Sequence, residues 1–271
     1  MGLKKSFPYL GSKSRILNML LDITKNSDAK FLVELFGGSC VYTINNTKYP
    51  RCLNEINGDI TNLFTVISNN LDELLDKFEW NICSRLLYDN IRKSKPKNNI
   101  DKAYRFLYLI IYGYRGRFSN DNYNSFGTSK TRKPTSKDHI INIIKDIYEG
   151  IKDVYIENQS YEVIISKYDD EHVLFFIDPP YITSNTVSTK YYIHNMDNID
   201  DQTTLKNNIS NISGKFILTV PDNQFYRDLY DEYNIFDTNV NYSLHKNDRE
   251  RKTSELIITN FDISLNIHKI F

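Results

Sequence analysis

Apolar residues recur along the chain with two different periods. Ile16, Leu17, Leu20 and Leu21 fall on one face of a short amphipathic helix over 14–21. A compact apolar run at 31–35 reads as a buried strand and gives way at once to Phe36-Gly37-Gly38-Ser39 and a second helical pattern. Arg51 to Asn54 reads as another short strand, ending in Glu55. Helical spacing dominates from Gly58 to Phe118. The polar stretch 119–134, rich in Asn, Ser, Gly and Asp, suits a hairpin or exposed loop, and 140–148 returns to helix. Strand candidates then recur at 154–156, 173–177, 216–220, 235–240 and 256–260. Strands alternating with helices predict a three-layer α/β sheet, with the helical block 58–145 inserted between its second and third strands.

A chain of 271 residues can bury one substantial core and carry a smaller lobe as well. Its 40% hydrophobic and 25% charged residues are ordinary for a globular enzyme. The longest apolar stretch, 106–114, is too short to span a bilayer. Lys4 and Lys5 precede a polar, glycine-containing segment rather than an apolar signal core, so a cytoplasmic or nucleoid-associated protein is expected. Cys40, Cys52 and Cys83 lack Cys-x-x-Cys spacing and the five histidines are scattered, which predicts neither a disulfide framework nor a metal site.

A formal net charge of zero hides a segregation. Between Cys83 and Lys145 stand fourteen Lys/Arg against four Asp/Glu, a net of +10, so the remainder carries −10. The same stretch holds Tyr88, Tyr104, Tyr108, Tyr112, Tyr114, Phe118, Tyr123 and Phe126. Positive charge attracts phosphate and aromatic faces stack on exposed bases. A solvated helical surface over an aromatic core has the same composition, but the segregation favours a polyanionic partner.

Two turns carry candidate chemistry. A buried strand ending in Glu34-Leu35-Phe36-Gly37-Gly38 lets backbone approach a ligand where a Cβ would clash. Glu55, seventeen residues after Gly38 at the end of the next strand, can accept hydrogen bonds from both hydroxyls of a ribose. A phosphate-binding fingerprint needs a further glycine where Val41 stands, which weakens a dinucleotide and leaves a nucleoside cofactor. The stronger signal is Asp178-Pro179-Pro180-Tyr181, directly after the apolar run Val173-Leu174-Phe175-Phe176-Ile177. Two prolines remove two backbone donors and leave carbonyls free to accept. An exocyclic amine such as that of adenine has two hydrogens and needs two acceptors, which the Asp178 carboxylate and the Pro179 carbonyl can supply while Tyr181 stacks on the base. Holding both N–H groups frees the nitrogen lone pair to attack an electrophilic methyl, so alignment and electrostatics suffice without a metal or a covalent nucleophile. The same acceptor pair suits the N4 amine of cytosine or an RNA base, and an inactive nucleic-acid-binding module is the rival from another class. Near the start, Tyr9 can pack on a cofactor base, and Lys13 can reach a cofactor carboxylate or the active-site carboxylates; the spacing alone is that of an ordinary helix start.

With these pieces in order, the chain resembles the Dam family of DNA adenine-N6 methyltransferases of the alpha group. The resemblance rests on Tyr9-Leu10-Gly11-Ser12-Lys13, Phe31-Leu32-Val33-Glu34-Leu35-Phe36-Gly37-Gly38, Asn54-Glu55-Ile56-Asn57, the apolar stretch 106–114, Phe126-Gly127, Asp178-Pro179-Pro180-Tyr181 and the run 254–261. It implies a Rossmann-like class I methyltransferase sheet with helices on both faces, plus an inserted, mainly helical DNA-recognition lobe with a hairpin. Residues 1–57 and 146–271 would form the S-adenosylmethionine-binding catalytic domain and 58–145 the target-recognition insert. On matching positions, Tyr9, Lys13, Phe36, Gly37, Gly38, Glu55 and Asp178 are expected to contact the cofactor. Asp178, Pro179, Pro180 and Tyr181 would form the pocket for an adenine flipped out of double-stranded DNA, since N6 in a duplex is paired and shielded. Arg115 and Arg117, with Asn120, are candidates to read bases at GATC or a related short site. Lys130, Arg132, Lys133, Lys246, Arg249, Arg251 and Lys252 are candidate phosphate contacts. A monomer or weak dimer is expected, with a cognate restriction endonuclease as a candidate partner. The sequence departs from the family's Phe-x-Gly-x-Gly pattern at Cys40, which stands where the last glycine is common.

Overall fold

A computed structural model of the chain describes residues 2–114, 118–119, 122–123, 125–182, 196, 198–238 and 255–263. The chain enters through a 3-10 turn (Lys13–Arg15) and α1 (Leu17–Lys25), followed by β1 (Phe31–Glu34), α2 (Val41–Asn45) and β2 (Arg51–Asn54). Four helices come next, α3 (Gly58–Asn69), α4 (Leu71–Glu79), α5 (Arg85–Lys93) and α6 (Asn99–Tyr112), then the hairpin strands β3 (Phe118–Ser119) and β4 (Asn122–Tyr123) and helix α7 (Lys137–Ile151). The rest alternates as β5 (Val154–Glu157), α8 (Tyr161–Tyr168), β6 (Val173–Ile177), α9 (Ile199–Ile209), β7 (Lys215–Pro221), α10 (Gln224–Leu229), β8 (Asn234–Asp237) and β9 (Glu255–Thr259).

Seven of these strands form one sheet in the order β5-β2-β1-β6-β7-β9-β8. Strand β9 runs antiparallel to both neighbours and the other pairings are parallel. The chain builds outward from β1 to β2 and β5, then crosses to β6 on the other side of β1. The strand order therefore reverses between β1 and β6. In open α/β sheets ligands bind in the crevice that such a reversal opens at the carboxyl ends of the strands.

Alternation along each strand explains the two flanking layers. Leu32, Leu174, Phe176, Ile217 and Ile257 pack with Ile16, Leu20 and Ile23 of the N-terminal segment and with Tyr42 of α2. Their neighbours Val33, Phe175, Ile177, Leu218 and Ile258 point the other way, onto Ile164, Leu205, Ile209 and Tyr226 of α8, α9 and α10. Both faces are covered, so the central strands read as continuous apolar runs rather than as alternation.

The insert between β2 and β5 grows from the first of these faces. Its helices α3 to α7 share one cluster with Phe7, Cys40, Ile44 and Leu53. Helix α6 is buried almost all round from Phe106 to Tyr112, and starts where the Asn98 side chain accepts from Asp101 N at 2.8 Å. The sequence pattern extends this helix to Phe118, but it ends at Tyr112. Gly113 leaves in extended backbone, bridges Phe126, and so roots the hairpin whose strands pair Phe118 with Tyr123. Buried Arg51 ties two helix ends together, donating to Thr43 O at 2.7 Å and to Gly150 O at 2.9 Å. No described helix is long and apolar enough to cross a membrane.

The closest approach in this layer is at Gly150 of α7, where an added Cβ would lie 2.3 Å from Ile44 Cβ and 2.7 Å from its Cα. In an exposed helix, alanine would gain about 1 kcal/mol over glycine. Here overpacking outweighs that gain, and Gly150→Ala is expected to destabilise by about 1–3 kcal/mol in urea titration. An unchanged or raised midpoint would show that α2 and α7 separate freely.

Candidate active site

Register delivers three chain segments to one edge. Glu34 of β1 lies level with Phe176 of β6 and with Leu53 of β2, so the glycine turn, the Asp178 turn and Glu55 leave adjacent strands side by side. Leu35 N donates to Phe176 O at 3.0 Å and Gly37 N to Asn54 O at 2.8 Å, extending the ladders past the strand ends. The Asn54 amide completes the frame, donating to Leu35 O and Gln159 O and accepting from Gln159 N, each at 3.0 Å. These segments surround a cavity of about 440 Å³. Tyr9, Lys13, Phe36, Gly37, Gly38, Glu55, Asp178, Pro179, Pro180 and Tyr181 all line it.

At the glycine turn, Gly38 has φ +47°, and a Cβ there would sit 3.1 Å from the Tyr9 ring. Cys40 takes the left-handed conformation too, with φ +54°, although it carries a side chain. The turn thus keeps at Cys40 the backbone shape for which glycine is the cheaper residue, at a cost of about 1–2 kcal/mol. Glu55 braces the turn from across: its Oε2 accepts from Gly38 N at 2.7 Å and its Oε1 from Asn57 N at 2.8 Å. A carboxylate offers about four lone-pair sites, so each oxygen keeps one for a ligand hydroxyl. Burial raises the Glu55 pKa against these two backbone hydrogen bonds.

Glu34 lies beneath the turn and accepts from Thr43 N at 3.0 Å and from Thr43 Oγ1, which moors α2 to the end of β1. Burial pushes its carboxyl from 4.5 up to about 8; the Thr43 hydrogen bonds oppose this, and the charges of Asp178 and Glu55 add to it. The folded state therefore binds this proton more tightly than the unfolded chain. The associated stability is complete below the unfolded pKa and fades as pH rises toward the folded one, by up to about 1.4 kcal/mol per unit. Thermal melting between about pH 5 and pH 8 should show a fall for the native chain that Glu34→Gln flattens. Parallel slopes would refute the assignment.

On the other side of the cavity Lys13 is buried with 3% exposure. Its ammonium meets Asp178 Oδ1 at 2.9 Å, Glu255 Oε1 at 3.3 Å and Gly11 O at 3.1 Å. An ammonium has three donors, and all three are engaged. Burial alone would lower its pKa, but the charges of Asp178 and then Glu255 outweigh it and hold the lysine protonated. Asp178 is pushed up by burial, with Lys13 pulling the other way. Thr219 Oγ1 donates to the same Asp178 Oδ1 at 2.9 Å. Gln202 Nε2 donates to Pro180 O at 2.9 Å, and Ile182 N donates to Tyr226 Oη at 3.1 Å, so the turn is held on both sides of Tyr181.

Of the candidate DNA contacts, Lys130, Arg132 and Lys133 are exposed on the loop after the hairpin. Arg115, Arg117, Asn120, Lys246, Arg249, Arg251 and Lys252 lie outside the described residues. Part of the basic charge is used internally: Arg105 donates to the carbonyls of Ile91 and Arg92 at the end of α5, and Lys102 pairs with Asp59 at 2.8 Å. Among the described residues no group of three or more His, Cys, Asp or Glu is arranged to hold a metal ion. Sequence reasoning missed Glu34, Asn54, Thr219, Gln202, Tyr226 and Glu255. Glu34 and Thr219 do carry a signal, each a polar residue within an apolar strand run.

The doubly covered sheet, with cavity and acceptors at its switch point, is the fold of a class I methyltransferase. Residues 9–244 match the D12 class N6 adenine-specific DNA methyltransferase family, and the chain belongs to that family. Similar proteins include the type II methyltransferase M.CviBI of Paramecium bursaria Chlorella virus NC1A, 24% identical over 96% of this chain and 100% of its own length. The type II methyltransferase M.MjaIII of Methanocaldococcus jannaschii is 23% identical over 96% of this chain and 100% of its own. The modification methylase StsI of Streptococcus sanguinis is 22% identical over 96% of this chain and 43% of its own length.

Proposed function

We propose that the chain transfers a methyl group from S-adenosylmethionine to N6 of an adenine flipped out of double-stranded DNA, at GATC or a related short site. One observation carries this reading: the glycine turn, Glu55 and the Asp-Pro-Pro-Tyr turn line a single cavity of about 440 Å³. The donor set fits a nucleoside cofactor, since Glu55 retains acceptor capacity for a ribose diol and Gly37 and Gly38 give close backbone approach beside the Tyr9 ring. In this reading Tyr9, Lys13, Phe36, Gly37, Gly38, Glu55 and Asp178 hold the cofactor, which supplies a methyl group already activated on a sulfonium. Asp178 and the Pro179 carbonyl accept the two amine hydrogens, Tyr181 stacks on the base, and Lys13 neutralises and orients Asp178.

Residues 1–57 and 146–271 then form the catalytic domain and 58–145 the recognition insert. Arg115, Arg117 and Asn120 read the site, and Lys130, Arg132, Lys133, Lys246, Arg249, Arg251 and Lys252 meet phosphates. We take the protein to be a monomer or weak dimer of the cytoplasm or nucleoid. The relatives called type II methyltransferases and a modification methylase support a restriction–modification setting with a cognate endonuclease. The test is incubation with unmethylated duplex DNA and S-adenosylmethionine, then nuclease digestion and mass spectrometry, with methylation-sensitive sequencing to read the site. N6-methyladenine in one short motif is expected; N4-methylcytosine, or no methylated base, would overturn the proposal.

A further inference from the structure

A turn that must grip one amine in one geometry has a surplus of acceptors. Asp178 presents two carboxylate oxygens, and Pro179 and Pro180 each present a carbonyl with no neighbouring proline N–H to satisfy it. An amine offered four acceptors can dock in several ways, and most would leave its lone pair misaligned with the methyl group. Two of the four already accept from the protein, one of them twice. Oδ1 of Asp178 takes both Lys13 Nζ and Thr219 Oγ1, each at 2.9 Å. The Pro180 carbonyl takes Gln202 Nε2 at 2.9 Å. Among the described residues, no hydrogen bond reaches Asp178 Oδ2 or the Pro179 carbonyl.

We infer that Thr219 and Gln202 are positioning residues that favour the acceptor pair Asp178 Oδ2 and Pro179 O by engaging the two competing acceptors. This deepens the adenine-N6 reading and rests on it. Both side chains are fully buried, on elements that belong to neither turn: Thr219 on β7 and Gln202 in the first turn of α9. Thr219 interrupts the apolar run of β7 with a buried hydroxyl. Gln202 is the more telling case. Its Nε2 donates twice, to Pro180 O and to Met196 O at 2.6 Å, while its buried Oε1 has no hydrogen-bond partner among the described residues. An unpaired buried acceptor is unfavourable, and the two donors of the same amide are what offsets it here. One of those donors ends on the catalytic turn.

The experiment measures kcat for methyl transfer and calorimetric affinity for S-adenosylmethionine in Thr219→Val, Thr219→Ser and Gln202→Leu, using the full chain and duplex DNA. If selection fails and the amine shifts by about 1 Å, kcat should fall about a hundred-fold in Thr219→Val and Gln202→Leu, with cofactor affinity within about twofold of native. Thr219→Ser, which restores the hydroxyl, should recover most of the rate at a melting temperature close to that of Thr219→Val. Should Gln202→Leu not fold, the Thr219 pair decides alone. Native kcat in Thr219→Val, a parallel loss of rate and cofactor affinity, or no recovery in Thr219→Ser would overturn the inference. A native chain that methylates no adenine would instead refute the function on which it rests.

Discussion

Replacing Asp178 with alanine is expected to lower methyl transfer to duplex DNA by at least about a hundred- to a thousand-fold while leaving the protein folded. The carboxylate is the sole charged acceptor at the turn, and it is preorganised: Lys13 and Thr219 fix one oxygen, so the other is held still. Alanine removes the amine's stronger partner and leaves the Pro179 carbonyl alone, which cannot hold two hydrogens in a tetrahedral arrangement. The fold should tolerate the loss, because Lys13 keeps Glu255 and the Gly11 carbonyl. Asparagine is no conservative change here. Its amide nitrogen must point either at the incoming amine or at the Lys13 ammonium, and both are donors. Asp178→Asn should therefore resemble alanine in rate. Tritium transfer from labelled S-adenosylmethionine checks both variants, and transfer at the native rate in Asp178→Ala would remove Asp178 from the chemistry.

The frame of this site was legible in the sequence because its signals are local. The largely apolar run 31–35, broken only by Glu34, and the fully apolar run 173–177 mark strands buried on both faces, and a motif directly after such a strand must lie at the carboxyl edge, whatever the strand order. The helical character of 58–118 was legible for the same reason, and α6 lies within it. The end of α6 was not, because Gly113 stops it by pairing with Phe126 across thirteen residues, a contact that no local pattern announces. Cys40 is an intermediate case: its side chain argues against a glycine-like turn, yet the backbone keeps the left-handed shape because the surrounding bonds of Gly37, Glu34 and Thr43 determine it. The positioning groups depend wholly on register. Glu255 stands at the start of β9 and reaches Lys13, 242 residues away, only because β9 lies beside β7. Gln202 looks like any polar residue at a helix start until α9 is laid against the Pro180 carbonyl.

Glu55 is the second position at which a single change should remove function, and by a different route. Replacement by alanine is expected to weaken S-adenosylmethionine binding by roughly a hundred- to ten-thousand-fold, the loss of two charge-assisted hydrogen bonds worth about 1.5–3 kcal/mol each. Two effects contribute. The carboxylate is the acceptor available to a ribose diol, and it also braces the turn through Gly38 N at 2.7 Å and Asn57 N at 2.8 Å. Glutamine should not rescue the site, since its amide nitrogen must face one of those two backbone donors in either orientation. S-adenosylmethionine and S-adenosylhomocysteine share the ribose, so calorimetry should find both weakened alike in Glu55→Ala, and by more than in Asp178→Ala, which keeps the ribose acceptor. A cofactor analogue lacking the 2′-hydroxyl separates the contact from the brace. If Glu55 touches the diol, the analogue binds the native chain more weakly but gains no further penalty in Glu55→Ala, a coupling that a double-mutant cycle detects. Additive losses would mean that Glu55 serves the turn alone, and the ribose would have to be held by another residue of the cavity.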